Sequence, residues 1–339
     1  MVIQTGLDYI RSRSIVDCDT MDEQVARTLG PFADCTSNQA IAYGELSKPK
    51  HASILQISLS KSKSLVNKYP GLAVEELAIE IAMISLSLKI APYITGYIHI
   101  QINPYNAYST KKTVANALRI ISLTQHLNPT YPSSRICIKI PSTWEGLQAC
   151  QILERAGIRT LATTLFTLPQ AALAAEMGCM YVAPYVNQLK VHFEDGFTDP
   201  APLLPLCAQI QQYYASIGTN TQVLPASLTS VDEIYALAGV QHITISPGLL
   251  EELAKPLANA AGMKPSLFDN ENPAVVGSVP ERLSFLHDEA GYRIAFSRHQ
   301  AGESEGKLTQ AVNIFCDMQD KLVRLFEWLQ QPSRSASRL

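Results

Sequence analysis

Ile136-Cys137-Ile138-Lys139-Ile140-Pro141, followed at once by Ser142-Thr143-Trp144-Glu145-Gly146, sets one charged side chain inside a run of β-branched residues. Such a run specifies a strand, and the proline and serine end it. Ser142 and Glu145 fit an S-x-x-E capping box that opens a helix running to Gly157. A strand passing directly into a helix is half of a parallel βα unit. A lysine in the middle of such a strand cannot easily reach water. Burial disfavours the charged form of a lysine and leaves an amine able to attack a carbonyl. A solvated edge strand, or a buried ion pair, would also accommodate a lysine here. The strand alone therefore suggests Schiff-base chemistry without establishing it.

Working outward, the same unit recurs. Strands are predicted at 14–19, 31–36, 97–103, 135–141, 160–166, 180–186, 222–227 and 242–246, separated by helical patterns. Eight such units predict a single (β/α)₈ TIM barrel in the α/β class, with an extra C-terminal helix. The alternative, an open doubly wound sheet, usually carries a glycine-rich phosphate turn after its first strand. Neither GxGxxG nor GxxxxGK[ST] occurs. Alternation within the strands agrees with the barrel. Ile98, Ile100 and Ile102 share one face, and His99, Gln101 and Asn103 the other. Ile243 and Ile245 alternate with His242, Thr244 and Ser246. The isoleucines are expected to face the helical layer and the polar set the lumen. Ser230 and Glu233 repeat the capping box, and Gly178 and Gly239 close helices. Residues 255–298 lack clear periodicity and read as an excursion before a long helix over roughly 305–329. One domain is expected over 1–329, followed by a flexible tail at 330–339.

Composition excludes several classes. The 339 residues are 47% hydrophobic and 17% charged, with a formal net charge of −3. This describes a soluble globular protein without a nucleic-acid footprint. The most apolar stretch, 72–90, carries Glu75, Glu76 and Glu80. It suits a buried helix and makes a poor membrane span. The N-terminus lacks a signal peptide's charged and apolar regions. Seven scattered cysteines without a CxxC pair imply a reduced protein with no zinc site. His99 and His242 lack metal-ligand spacing and are expected to be structural lumen residues. Neither a metal nor a cofactor is expected, because a lysine can itself supply the electron sink.

Barrel enzymes place their chemistry at the C-terminal ends of strands. Asp19, Gln101, Asn103, Lys139, Thr163, Tyr185 and Ser227 fall there, and Asn38 follows the second strand. An amine surrounded by a carboxylate, amides, hydroxyls and a phenol suits imine chemistry on a small carbonyl compound. Each polar residue also has a structural reading, since barrel lumens hold hydrogen-bond networks.

These residues carry a resemblance. The stretch from Ile138 to Gly146 resembles the active-site lysine motif of transaldolases, and Asp17-Cys18-Asp19-Thr20 resembles their first-strand aspartate motif. Asp34-Cys35-Thr36-Ser37-Asn38 is similar to the second-strand D-A-T-T-N segment. Further matches lie at Thr164-Leu165-Phe166, Pro184-Tyr185-Val186, Pro225-Ala226-Ser227 and Ile245-Ser246-Pro247, so the likeness spans essentially the whole chain. The resemblance implies that Lys139 forms the Schiff base with a ketose or ketone donor. Asp19 would move the proton of the donor's C4 hydroxyl. Asn38 and Thr36 would hydrogen-bond donor hydroxyls, Thr163 would hold the catalytic water, and Ser227 would line the pocket. Asn103 and Gln188 are also placed at the substrate. A homodimer is one option the family suggests.

The departures narrow the substrate. Transaldolases place a glutamate where this chain has Gln101, and a glutamine can orient water but cannot accept its proton. Gln101, Ala183 and Tyr185 together resemble fructose-6-phosphate aldolase, in which a tyrosine hydroxyl serves the catalytic water. The two arginines that clamp the sugar phosphate correspond to Gln188 and Thr229, and a third to Tyr105, with Lys190 a partial substitute. The expectation is a transaldolase-like class I aldolase acting on a non-phosphorylated or specialised carbonyl substrate. Ordinary transaldolase, joining sedoheptulose 7-phosphate and glyceraldehyde 3-phosphate, is one alternative. A catalytically reduced binding barrel is the other. The terminal Ser337-Arg338-Leu339 is similar to the S-K-L peroxisomal address, so an import receptor is a candidate partner and both cytoplasm and peroxisome stay open.

Overall fold

The computed structural model describes residues 3–257, 265–269 and 281–331. Eight parallel strands, β1 (Ile15–Asp19), β2 (Cys35–Thr36), β3 (Ile98–Gln101), β4 (Ile136–Pro141), β5 (Arg159–Leu165), β6 (Tyr181–Pro184), β7 (Gln222–Val223) and β8 (His242–Ile245), pair in the order β7-β6-β5-β4-β3-β2-β1-β8. The ring closes where Thr244 N donates to Pro225 O at 3.3 Å. All eight predicted strands are present; seven are shorter than the sequence suggested, and β5 keeps its length but starts one residue earlier. The expected (β/α)₈ barrel is therefore the fold.

Helices α1 (Gly6–Arg11), α2 (Glu23–Leu29), α3 (Gln39–Leu46), α4 (Ala52–Leu65), α5 (Val74–Ile90), α6 (Thr110–Leu127), α7 (Trp144–Arg155), α8 (Leu168–Glu176), α9 (Leu204–Ile217), α10 (Val231–Ala236) and α11 (Pro247–Leu253) punctuate the strands. Then come α12 (Glu289–Arg298) and α13 (Glu303–Leu329). The apolar stretch at 72–90 is α5, buried on most sides, with its Glu80 held by Arg119 and Asn116. Among the described residues no helix is long and apolar enough to cross a membrane. All seven cysteines are free.

Strand alternation sets the two layers. The isoleucines of β3, β4 and β8 are buried. On the lumen side, His99 meets Asp34 at 2.8 Å and His242 meets Asp17 at 2.9 Å. The ring of Tyr181 lies between the two imidazoles, 5.3 Å and 5.1 Å from their centroids.

Three expectations need correction. Thr143, not Ser142, caps α7: its hydroxyl accepts from Gly146 N at 2.8 Å. Ser142 Oγ instead donates to Thr163 O at 2.8 Å and ties β4 to β5. Ser230 caps α10, but the Glu233 carboxylate turns to Asn187 and Thr229, so only half of that box forms. Within 255–298, helix α12 was missed, because only Tyr292 and Phe296 give it a buried face. Tyr292 packs against Trp144, ring centroids 5.4 Å apart and tilted by 43°, and Arg293 pairs with Glu145 at 2.7 Å. The helix is thus pinned to the stretch that follows Lys139.

Gly146 lets α7 approach that strand end. A Cβ there would collide with Pro141 O. Gly146→Ala is expected to cost about 1–3 kcal/mol, seen as a lowered thermal midpoint.

Candidate active site

Lys139 lies on β4 between β3 and β5, an internal strand, and is 2% exposed. No ion pair or hydrogen bond to its amine is found among the described residues. The edge-strand and ion-pair explanations of this lysine therefore fall away. Its side chain reaches a cavity of about 530 Å³ at the C-terminal ends of the strands. Asp19, Asn38, Tyr185 and Ser227 line the same cavity.

Supporting groups hold these side chains from behind. Thr36 Oγ1 donates to Asp19 Oδ1 at 2.6 Å and lies 2.6 Å from Thr244 Oγ1. With its hydroxyl so engaged and fully buried, Thr36 orients Asp19. Asn38 caps α3, its Oδ1 accepting from Ala40 N at 2.9 Å and Ile41 N at 3.0 Å. Its amide nitrogen is the part left to donate into the cavity. Thr163 Oγ1 lies 3.3 Å from Tyr185 Oη. The β5–β6 register shifts between Ala162 and Leu165, and Thr164 sits at φ +53°, an uncommon left-handed backbone. A bulge of this kind re-aims side chains. Gln101 pairs with Lys139 across β3 and β4. Its Nε2 donates to Gln39 Oε1 at 2.8 Å, and its buried Oε1 has no partner among the described residues.

Two predicted positions lie elsewhere. Asn103 donates to Glu76 Oε1 at 2.9 Å and lines a separate cleft with Tyr105. Strand β3 ends at Gln101, so the lumen alternation no longer governs residue 103. Gln188 accepts from Gln310 Nε2 at 3.5 Å, turned toward α13. Conversely, the sequence reading missed His192 and Phe315, which line the cavity. His192 Nε2 lies 3.0 Å from Ser227 Oγ, and Ser227 holds φ +60°. Desolvation holds the pKa of His192 below 6.5, against the opposing pull of Asp19 and Glu233.

Residues 14–282 match the family model Transaldolase/Fructose-6-phosphate aldolase. The chain belongs to this family. It is 28% identical to a transaldolase of Cellvibrio japonicus over 95% of this chain and 98% of that one. It is 30% identical to a transaldolase of Alteromonas mediterranea over 93% and 96% of the two chains. It is also 33% identical to transaldolase A of Pasteurella multocida over 74% of this chain and 79% of the relative. Membership and barrel together make the protein an enzyme of the transaldolase and aldolase type. Its chemistry is that of a class I, Schiff-base family acting on a small carbonyl substrate.

Below this site lies a second polar cluster. Asp17, Asp34 and His242 bring potential metal-ligand atoms within 4.8 Å of one another. Sequence spacing gave no sign of it, since the three come from β1, the approach to β2, and β8. All four carboxylate oxygens already accept from protein groups: His242, Asp34 N, His99 and Tyr97 N.

Proposed function

We propose that Lys139 forms a Schiff base with an uncharged hydroxyketone donor and that the enzyme makes or breaks a C–C bond next to that imine. The observation that carries this is the unpartnered, buried amine opening on one cavity with a carboxylate, an amide and a phenol. The amine adds to the donor carbonyl, and loss of water gives the iminium. A donor Cα proton passes to a water held by Tyr185 and Thr163, leaving an enamine. Asp19 then moves a proton to or from the oxygen of the acceptor carbon, and Asn38 donates to a donor hydroxyl. Tyr185→Phe is expected to lower kcat by about 10²-fold while the imine still forms, read by steady-state kinetics beside borohydride trapping.

Loss of phosphate recognition is supported by more than missing arginines. Gln188 N donates to Asp199 at 2.7 Å, and Thr229 N donates to Glu233 at 2.7 Å. Backbone donors at both places are thus already taken by carboxylates. Against the partial burial that would raise it, hydrogen bonds from Gln188 N and Ala201 N hold Asp199 below the ordinary carboxylate value. Lys190 places its ammonium over Phe197, 3.9 Å from the ring centroid, and 4.0 Å from Glu194. A phosphate dianion would meet negative charge where transaldolases offer arginine. The expected result is turnover of dihydroxyacetone in the aldol direction and little exchange between fructose 6-phosphate and erythrose 4-phosphate. Efficient exchange between those two phosphates would restore ordinary transaldolase.

The Ser337-Arg338-Leu339 terminus lies outside the described residues. Its resemblance to a peroxisomal address supports import into that organelle. A reporter carrying the last dozen or so residues tests it, and diffuse cytoplasmic signal would count against it.

A further inference from the structure

The cavity is divided by chemistry. Its floor, at the strand ends, holds Lys139, Asp19, Asn38, Tyr185 and Ser227. Much of the rest is apolar: Ile41, Val191, Phe193, Leu228, Leu249 and Phe315 all line it. They come from α3, the turn after β6, the segment after β7, α11 and the C-terminal helix α13, so the apolar wall is assembled from distant parts of the chain. Phe315 is fully buried against the wall, whereas Phe193 is 39% exposed at the rim. An aromatic ring left open beside a pocket marks a surface suited to an apolar partner group. Lys139 is the only Lys or Arg among the described residues that line the cavity. The cavity, about 530 Å³, lies within the range of roughly 300–1,000 Å³ that holds drug-sized ligands. A three-carbon donor at the floor leaves most of that space to the acceptor.

We propose that the acceptor is an uncharged aldehyde bearing an apolar substituent, a medium-length alkyl chain or an aryl ring, seated on this wall. The proposal rests on the Schiff-base reading of Lys139 and names the acceptor class for it. The donor enamine carbon attacks the aldehyde carbon and forms the new C–C bond. The carbonyl π pair moves to oxygen, which takes its proton from Asp19. Water then hydrolyses the iminium, releasing the ketone product and restoring the Lys139 amine. No oxidant or reductant enters. The polar groups outside the floor, His192, Thr229 and Ser246, are outnumbered by this apolar lining, so a sugar acceptor would set part of its hydroxyl surface against Leu228 and Leu249, a cost that polar groups pay when dehydrated.

The test has two arms. In the first, the enzyme is incubated with dihydroxyacetone or hydroxyacetone and borohydride, and the adduct is mapped. In the second, kcat/KM is measured with the same donor and propanal, butanal, pentanal, hexanal, phenylacetaldehyde, glyceraldehyde and glyceraldehyde 3-phosphate. The expected result is an adduct on Lys139 and a kcat/KM that rises about fourfold per methylene along the alkyl series. Phenylacetaldehyde should exceed glyceraldehyde, and the phosphate should be slowest. Phe193→Ser, at a part-exposed rim position away from the floor, should flatten the series and leave donor trapping unaltered. An adduct on Lys139 with a flat series, or with glyceraldehyde 3-phosphate preferred, would overturn the acceptor proposal alone. No adduct with either donor, and no turnover, would remove the Schiff-base reading and this proposal with it.

Discussion

Replacing Lys139 with methionine is expected to lower kcat/KM by about 10⁴-fold or more while raising the thermal midpoint. The two effects have one origin. The side chain is 2% exposed, and among the described residues no carboxylate or carbonyl pairs with its amine. The amine reaches solvent only through the cavity and has no protein partner there, a partial desolvation that costs stability, and methionine fills a similar volume without that cost. The nucleophile that forms the imine is lost with the amine, and loss of a covalent nucleophile is among the largest single losses in enzymes. Circular dichroism melts and steady-state kinetics on the same preparation measure both. Full activity in the methionine variant would reject Lys139 as the nucleophile. A lowered midpoint would mean that the lysine contributes structurally.

Asp17→Ala is expected to destabilise the fold by about 3–5 kcal/mol, the range for breaking one side of a buried charge pair. Asp17 is fully buried beneath the site. Its removal strands His242 and also the backbone N–H of Asp34, which donates to it at 2.8 Å. The same cluster sets a pH dependence. Burial would lower the pKa of His242, but its bond to Asp17 wins and holds it above 6.5. Its stabilisation is therefore complete below pH 6.5 and is lost as pH rises through the folded value. Burial would raise Asp34, but the bonds from His99 and Tyr97 N hold it below 3.8. Its stabilisation is present above pH 3.8 and fades as pH falls through the folded value. Burial pushes Asp17 up, which agrees with one proton being kept between Asp17 and His242. Urea unfolding across pH 4–9 should show wild type losing stability on the alkaline side, and His242→Gln should flatten that limb. An Asp17→Ala chain as stable as wild type would show that the cluster is not a structural element.

The barrel could be read from the sequence because β-branched alternation is local information. Ile136-Cys137-Ile138-Lys139-Ile140 states both the strand and which side Lys139 takes, and neighbouring strands repeat the pattern. Register within βα units then delivers Asp19, Tyr185 and Ser227 to the same rim without further information. What failed depended on where a pattern stops or on what packs from afar. Asn103 looked inward by parity, but β3 had already ended at Gln101. Thr36 looked like a substrate contact, yet Asp19 and Thr244 occupy its hydroxyl. Phe315 belongs to an amphipathic helix whose sequence announces an apolar face but not its target, the wall above Lys139. His192 lies in a short 3₁₀ turn, where no periodicity assigns a side chain to a cavity. The lumen pair Asp17 and His242 joins residues 225 positions apart and meets only when the barrel closes.

Reductive trapping is the most direct test of the catalytic role given to Lys139. The enzyme is mixed with dihydroxyacetone, reduced with borohydride, digested and mapped by mass spectrometry. The predicted result is one donor-derived adduct on the peptide containing Lys139, absent from the methionine variant. Turnover of the donor with Lys139 unmodified, or an adduct on a different lysine, would contradict it.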